Sequence, residues 1–325
     1  GMRTGICESG GSDSELAVRE PEPHFQSEEA NVSVYWLGGK GCTDPARVGG
    51  KAAQLGRLAP AYPVPPGFCV VAGRQGGHDA PVVQRAQLSA AYSQLGSQCG
   101  TSPLPVAVRS SALDEDGLEA SFAGQHESYL NVVGLEAVAR AVTRCAASAL
   151  SRRALAYRRA RGLGAAGGVA VLVQRLIAAD VSAVVFSVDP RTGDGSQVVV
   201  NATWGLGESL VGGTVVPDLY TVRKADLATV ERYIADKACM TVPTAQPGAA
   251  GQPHGATREV PVPAPMRREA ALDPHQVVTL ARLACELEQA QGWPVDLECA
   301  YHHGKLYLLQ CRPVTAAGGG ETTRP

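Results

Sequence analysis

VAVRSSALDEDGLEASFAGQHESYLNV, residues 106–132, is the stretch from which the fold of this chain is read. A β-branched run ends in Arg109, passes through Ser110 and Ser111 into an acidic turn (Asp114, Glu115, Asp116), and returns through a small Ala-Gly-Gln loop to a second strand-like segment. The pattern is strand, loop, strand. A guanidinium at a strand end, two hydroxyls and a glycine loop with free backbone N–H groups suit a polyphosphate, because arginine grips phosphate bidentately and glycine lets the backbone approach an anion. The same residues also describe a surface turn closed by a salt bridge, and spacing alone does not separate the two.

A chain of 325 residues has room for one large two-lobed domain or two ordinary ones. An apolar fraction of 45% and a charged fraction of 18% fit a soluble globular enzyme, and a net charge of -2 argues against a nucleic-acid partner held by bulk electrostatics. The basic run SRRALAYRRAR (151–161) spreads its arginines around a helix and reads as a solvated face. None of the nine cysteines falls in a C-x-x-C pair or at zinc spacing, and Cys69, Cys145 and Cys285 sit in apolar runs. They read as reduced, mostly buried thiols of a cytoplasmic protein. No apolar run is long enough to span a bilayer, so no membrane partner is expected.

Residues 1–31 are acidic and poor in large apolar groups, the composition of a mobile leader. From Val32 the pattern becomes that of a folded domain. VYWLGG is strand-like, Ala46 to Leu58 has helical spacing with Gly49 and Gly50 at its mouth, and a proline-ordered loop leads into the strand FCVVA. Lys51 stands where the helix begins and can join its N-terminal N–H groups in holding an anion; otherwise it is an ordinary solvated lysine. Helical spacing over Val82–Leu95 and Leu135–Arg161 predicts helices packed on a mixed sheet. GVAVLVQRLI (168–177), SAVVFSVDP and SQVVVNATW follow closely and suggest an antiparallel second sheet, with a boundary between lobes near Ile177 to Val181. Gln174 then falls at the crease, where its amide could read an adenine edge, although the residues alone favour a polar residue at a sheet edge.

The Gly205-Leu-Gly-Glu208 turn, followed by Gly212 and Gly213, marks another close approach. Pro243 to Pro265 reads as a mobile loop with a short strand at Thr257 to Val262. Asp273 caps a structural helix with Pro274 in its first turn and Val277, Leu280, Leu283 and Leu287 down one face. The closing hairpin says more. If Glu298 lies opposite Gln310, the same register sets Asp296 opposite Arg312 and puts these four side chains on one face, leaving Leu297, Cys299, Leu309 and Cys311 on the buried other. A face of Glu, Gln, Arg and Asp makes a poor core but can hold Mg²⁺, which takes oxygen ligands at ~2.0–2.1 Å. A solvated outer face is the alternative.

Taken together and in order, VGGKAAQLG (48–56), PVPPGF (63–68), residues 106–125, NATWGLGE (201–208), TREVPVP (257–263) and DLECAYHHGKLYLLQCRPVT (296–315) resemble the N-terminal nucleotide-binding domain of the phosphoenolpyruvate synthase and pyruvate phosphate dikinase family, which includes rifampicin phosphotransferase. The resemblance runs from about Val34 to Thr315. It implies an α/β (α+β) ATP-grasp fold with ATP between two lobes, residues 32–178 and 179–315, and a flexible tail over 316–325. Carried over by position, it makes Lys51 and Arg109 phosphate ligands and sets Gly124, Gln125 and Ser128 in a loop over the phosphates. Gln174 becomes an adenine-side contact, Glu298 and Gln310 become Mg²⁺ ligands, and Arg312 a phosphate clamp. Glu208 joins the nucleotide-binding set, while Lys51, Arg109 and Arg312 form the catalytic one.

The departures also carry weight. Family members deliver phosphate through a histidine on a swivelling domain, yet none of the seven histidines has a Gly-Gly-x-Thr-Ser-His type of context. Ser128 stands where threonine is common, and Cys299 where an aromatic residue is. The expectation is an ATP- and Mg²⁺-dependent phosphotransferase module acting on a separate phosphohistidine carrier or a small molecule. A free-standing kinase or ligase of natural-product metabolism and a non-catalytic regulatory nucleotide binder are the alternatives.

Overall fold

Alternation along two strands fixes the first layer of the molecule. In β2 (Gly67–Arg74) and β6 (Val169–Arg175), Phe68, Val70, Val171 and Val173 point to one side, and Cys69, Ala170 and Leu172 to the other. Both faces are therefore apolar, and both are covered. Helix α1 (Pro45–Leu58) packs Val48, Ala52, Ala53 and Leu55 on the Cys69 side. Helices α2 (Arg85–Cys99) and α3 (Leu135–Ala149) bring Leu88, Leu95, Val138 and Val142 to the Phe68 side. The computed structural model describes residues 33–74, 81–82, 85–111, 128–149, 169–244 and 257–314. The expected leader, the tail, the loop carrying Gly124 and Gln125, and the continuation of α3 to Arg161 lie outside the described residues.

The first sheet runs β1-β2-β6-β4-β5, with β1 at Ser33–Trp36, β4 at Val106–Ser111 and β5 at Ser128–Val132; the two-residue β3 (Pro81–Val82) pairs with β2. A mixed sheet was expected here, but every pairing among the described residues is antiparallel. The reason is insertion: β6, late in the chain, lies between β2 and β4 and opposes both. For the same reason β6 does not join the strands that follow it.

The second sheet runs β10-β9-β8-β7-β13-β14, again antiparallel throughout. Its strands are β7 (Val181–Phe186), β8 (Gln197–Trp204), β9 (Asp218–Arg223), β10 (Thr229–Tyr233), β13 (Val295–His302) and β14 (Lys305–Pro313). A short helix α4 (Glu208–Val211) follows β8. The long helix α5 (Pro274–Gln291) is capped by a reciprocal Asp273–Gln276 box and buries Val277, Leu280, Leu283 and Leu287 against Val185, Val198 and Leu297, as its spacing predicts. A separate hairpin of β11 (Cys239–Pro243) and β12 (Thr257–Pro261) gives regular structure to both ends of the stretch read as a mobile loop; residues 245–256 between them lie outside the described residues. Among the described residues no helix is long and apolar enough to cross a membrane.

Two long-range features join these layers. Residues 176–180 connect the sheets, with the Leu176 N–H donating to Pro105 O and the Asp180 N–H to Tyr301 O. Buried Gln54 of α1 reaches the second sheet's side through Gln291 and the Cys311 sulfur.

Candidate nucleotide site

The β13–β14 register sets Asp296 opposite Arg312 and Glu298 opposite Gln310, the pairing on which the polar-face expectation was conditioned. A bulge then intervenes, so that Cys299 pairs with Leu308 rather than Leu309. This overturns one expectation. Leu308 takes the core position beside Leu297, Cys299 and Cys311, whereas Leu309 turns to the Glu298 side and lines the cavity there. An extra residue re-aims every side chain before it by one position, and the sequence carries no turn signal at Leu308-Leu309 to announce it.

Arg109 lies within β4 rather than at its end, the strand continuing through Ser110 and Ser111, and its side chain reaches across to this hairpin. Its Nη2 donates to Glu298 Oε2 at 2.9 Å and to Gln310 Oε1 at 3.3 Å, and its Nη1 to the Leu309 carbonyl at 3.4 Å. The Arg109 and Glu298 side chains are only 16% and 18% exposed, so the pair is shielded from bulk water. Burial opposes the Glu298 charge, but Arg109, with Lys51 and Arg312 more distant, outweighs it and holds the carboxyl below its usual value. Asp296 responds the other way: burial raises its pKa despite the 2.7 Å contact from Arg312 Nε. The Cys299 thiol is pushed far upward by burial and is inert at neutral pH.

Lys51 owes its position to a break in α1. Gly49 adopts φ 76°, and a Cβ there would lie 2.2 Å from Ser111 O, so the helix kinks where β4 presses against it. The Ser111 hydroxyl fills the kink, accepting from the Ala52 N–H at 3.0 Å and donating to Val48 O at 2.7 Å. Lys51 thus opens a fresh helical turn beside β4, with Nζ 3.2 Å from Ser110 O. The neighbouring Ser110 hydroxyl is buried without a hydrogen-bond partner among the described residues.

A cavity of about 550 Å³ lies between the sheets, within the range of small-molecule and cofactor sites. Of the predicted residues, Arg109, Ser128, Gln174, Glu208 and Glu298 line it. Lys51, Gln310 and Arg312 do not line it: Gln310 bonds Arg109, which does, whereas Lys51 bonds Ser110 O and Arg312 bonds Asp296, neither of them in the wall. Gly124 and Gln125 lie outside the described residues. Gln174 is not at a sheet edge. It sits in the central strand β6, 3% exposed, with Nε2 donating to Pro65 O at 2.9 Å. The proline loop thereby orients its amide.

Most of the remaining lining is apolar, and sequence reading did not assign Leu130, Leu176, Ile177, Leu206 and Leu309 to the site. The continuation of the apolar run past Gln174-Arg175 into Leu176-Ile177 was the available signal. A cavity with largely apolar lining that also holds Arg109 and Glu298 suits a flat heteroaromatic ring joined to an anionic tail. Glu298 and Gln310 offer a carboxylate and an amide oxygen that converge on one cationic nitrogen, a hard-oxygen donor pair that fits Mg²⁺.

Comparison with known proteins agrees with this geometry. The family model described as "Pyruvate phosphate dikinase, AMP/ATP-binding domain" matches residues 79–324. The chain belongs to this family. As a pyruvate phosphate dikinase AMP/ATP-binding domain it has an ATP-grasp-type fold and binds ATP. A probable phosphoenolpyruvate synthase of Methanocaldococcus jannaschii is 34% identical over 89% of this chain and 27% of its own length. The prodigiosin synthesizing transferase PigC of Serratia marcescens is 35% identical over 87% of the chain and 33% of its own length. A rifampicin phosphotransferase of Streptomyces is 37% identical over 83% and 34%. The chain thus spans about a third of the length of these curated relatives.

Proposed function

We propose that this chain is the ATP-binding module of a Mg²⁺-dependent phosphotransferase, passing a phosphoryl group from ATP to a histidine on a separate carrier domain or to a small-molecule acceptor. The observation that carries the reading is the Arg109 contact. A guanidinium from one sheet meets a carboxylate and an amide from the other at a cavity with largely apolar lining. Residues 32–178 and 179–315 act as two jaws, and closure on ATP brings their charged groups onto the phosphates.

The apolar wall of Leu130, Ile177 and Leu206 takes the adenine ring, with the amide of Gln174 at its polar edge. The Glu208 carboxylate accepts hydrogen bonds from the ribose. Lys51, Arg109 and Arg312 hold the phosphates, and the Ser128 hydroxyl lies on the approach to them. Glu298 and Gln310 hold Mg²⁺, which when bound neutralises charge on the phosphate oxygens and fixes their orientation. In this arrangement Arg109 leaves Glu298 and Gln310 and turns to the phosphate chain, so the guanidinium that bonds those two side chains also stabilises the transferring group. Phosphoryl transfer needs little covalent help, and alignment with charge neutralisation supplies the rate.

The test is product analysis with ATP and Mg²⁺ in the presence of a histidine carrier domain from a relative. AMP with phosphate indicates transfer through two phosphates, and ADP a single transfer. Glu298→Gln is expected to retain ATP binding in the absence of metal while losing Mg²⁺-dependent turnover. Wild-type turnover in that variant would remove Glu298 from the metal site. ATP binding without nucleotide turnover in the wild type, whatever the acceptor, would leave a regulatory nucleotide binder.

A further inference from the structure

At the tip of the β13–β14 hairpin, among residues that do not line the nucleotide cavity, Asp180, His302 and His303 bring one ligand atom each within 4.8 Å of one another. His302 ends β13, and His303 occupies the turn at φ 49° beside Gly304 at φ 74°. Asp180 is the last residue before β7, in the segment that connects the two sheets. Its backbone is fixed from both sides, the N–H donating to Tyr301 O at 2.9 Å and the carbonyl accepting from Gly205 N–H at 2.8 Å.

Three details do not fit an ordinary surface cluster. His302 Nδ1 is buried and has no hydrogen-bond partner among the described residues. It lies 3.8 Å from Asp180 Oδ2, beyond hydrogen-bond reach but close to the spacing of two atoms bound to one ion. The same Oδ2 accepts the His303 backbone N–H at 2.6 Å, which holds the carboxylate toward both rings, themselves 4.1 Å apart. Donors around an ion at ~2.0–2.1 Å lie at most about 4.2 Å apart, so a small rotation of the exposed His303 ring closes the set.

We propose that Asp180, His302 and His303 form a binding site for a divalent transition-metal ion of the zinc class, with water completing its shell. Two imidazoles and one carboxylate select such an ion over Mg²⁺, which prefers an all-oxygen shell. The site is separate from Glu298 and Gln310: four residues of β13 span about 13 Å. An ion here ties the hairpin that carries Glu298 and Gln310 to the segment joining the sheets, and satisfies the orphaned imidazole nitrogen. Coordination replaces a weakly bound proton or water on each ligand, with no change of oxidation state.

The experiment is zinc titration of the chelator-stripped whole chain by calorimetry, beside His302→Gln and His303→Asn; asparagine tolerates the left-handed turn conformation. Wild type is expected to bind one equivalent that excess Mg²⁺ does not displace, and each variant to lose it or bind at least about tenfold more weakly. With Co²⁺ as the probe, the variant-sensitive equivalent should lack the near-ultraviolet band of thiolate ligation. Zinc uptake equal in wild type and both variants, no uptake by the wild type, or a thiolate band on that equivalent would each overturn the proposal. Circular dichroism of both variants, at two different positions in the turn, separates a lost ligand from a lost fold.

Discussion

Replacing Arg109 with methionine removes a guanidinium that bonds Glu298 directly and leaves an uncharged, unbranched side chain in its place. Glu298 is 18% exposed on its side chain, and Lys51 and Arg312 act on it only from a distance. Stranding a buried carboxylate costs ~3–5 kcal/mol when burial is complete. Residual exposure and the two distant cations bring the expected loss to about 2–3 kcal/mol, a roughly 30- to 150-fold fall in the folded-to-unfolded ratio. The double variant Arg109→Met/Glu298→Gln, which leaves no charge behind, should recover more than half of it. The pH dependence has a definite sign. In the wild type the folded Glu298 pKa lies below its ordinary 4.5, so its contribution is present above pH 4.5 and is lost as pH falls through the folded value. Without Arg109, burial raises the pKa above 4.5, and ionised Glu298 becomes a penalty that disappears as the carboxyl protonates. The difference between the proteins is therefore greatest at pH 7 and shrinks on acidification toward pH 4. Urea midpoints at several pH values, compared at unchanged slope, measure it. A wild-type midpoint at pH 7, or a loss that stays constant with pH, would refute the coupling.

Lys237 and Asp218 form a fully buried pair at 2.6 Å, and Asp218 also accepts the Ala235 and Ala271 N–H groups. Lys237→Met should cost ~3–5 kcal/mol in thermal or urea unfolding, and the Asp218→Asn/Lys237→Met pair clearly less. Gly49→Ala meets both a left-handed φ and a 2.2 Å approach to Ser111 O, and should lower the melting temperature by several degrees or abolish soluble yield. Gly100→Ala, at φ 67° with open space around its Cβ, bears only the backbone cost of ~1–2 kcal/mol and serves as the control. Gln174→Leu leaves Pro65 O without its donor at a cost of ~1–3 kcal/mol, and is expected to weaken ATP binding, measured by calorimetry, through loss of the amide at the adenine edge.

The hairpin was legible because its information is local. A two-residue period and a His303-Gly304 turn mark the two strands, but strict pairing outward from that turn would set Glu298 against Leu309, and the bulge is what brings Glu298 opposite Gln310 and Asp296 opposite Arg312. The capped helix from Pro274 was legible for the same reason, its Asp273–Gln276 box and apolar stripe lying within a few turns of one another. The bulge after Glu298 was not, since it is set by how β13 must fit β7 and β14 at once. Nor was the central place of Gln174, which depends on β6 entering between two strands formed some 60 and 100 residues earlier.

By itself, then, the sequence determined the identity and chemistry of the parts: an arginine on a strand, a lysine after a glycine pair, and a polar set of side chains on the closing hairpin. It also determined the local periods that make those segments strands and helices. The tertiary structure decided which parts meet. Arg109 reaches Glu298 across 189 positions of chain, Gln54 reaches Gln291 across 237, and Asp180 meets His302 and His303 at a turn more than a hundred residues away. Such contacts form only once each sheet has packed with its covering helices and the two layers have come together, and that packing leaves no mark at either residue alone.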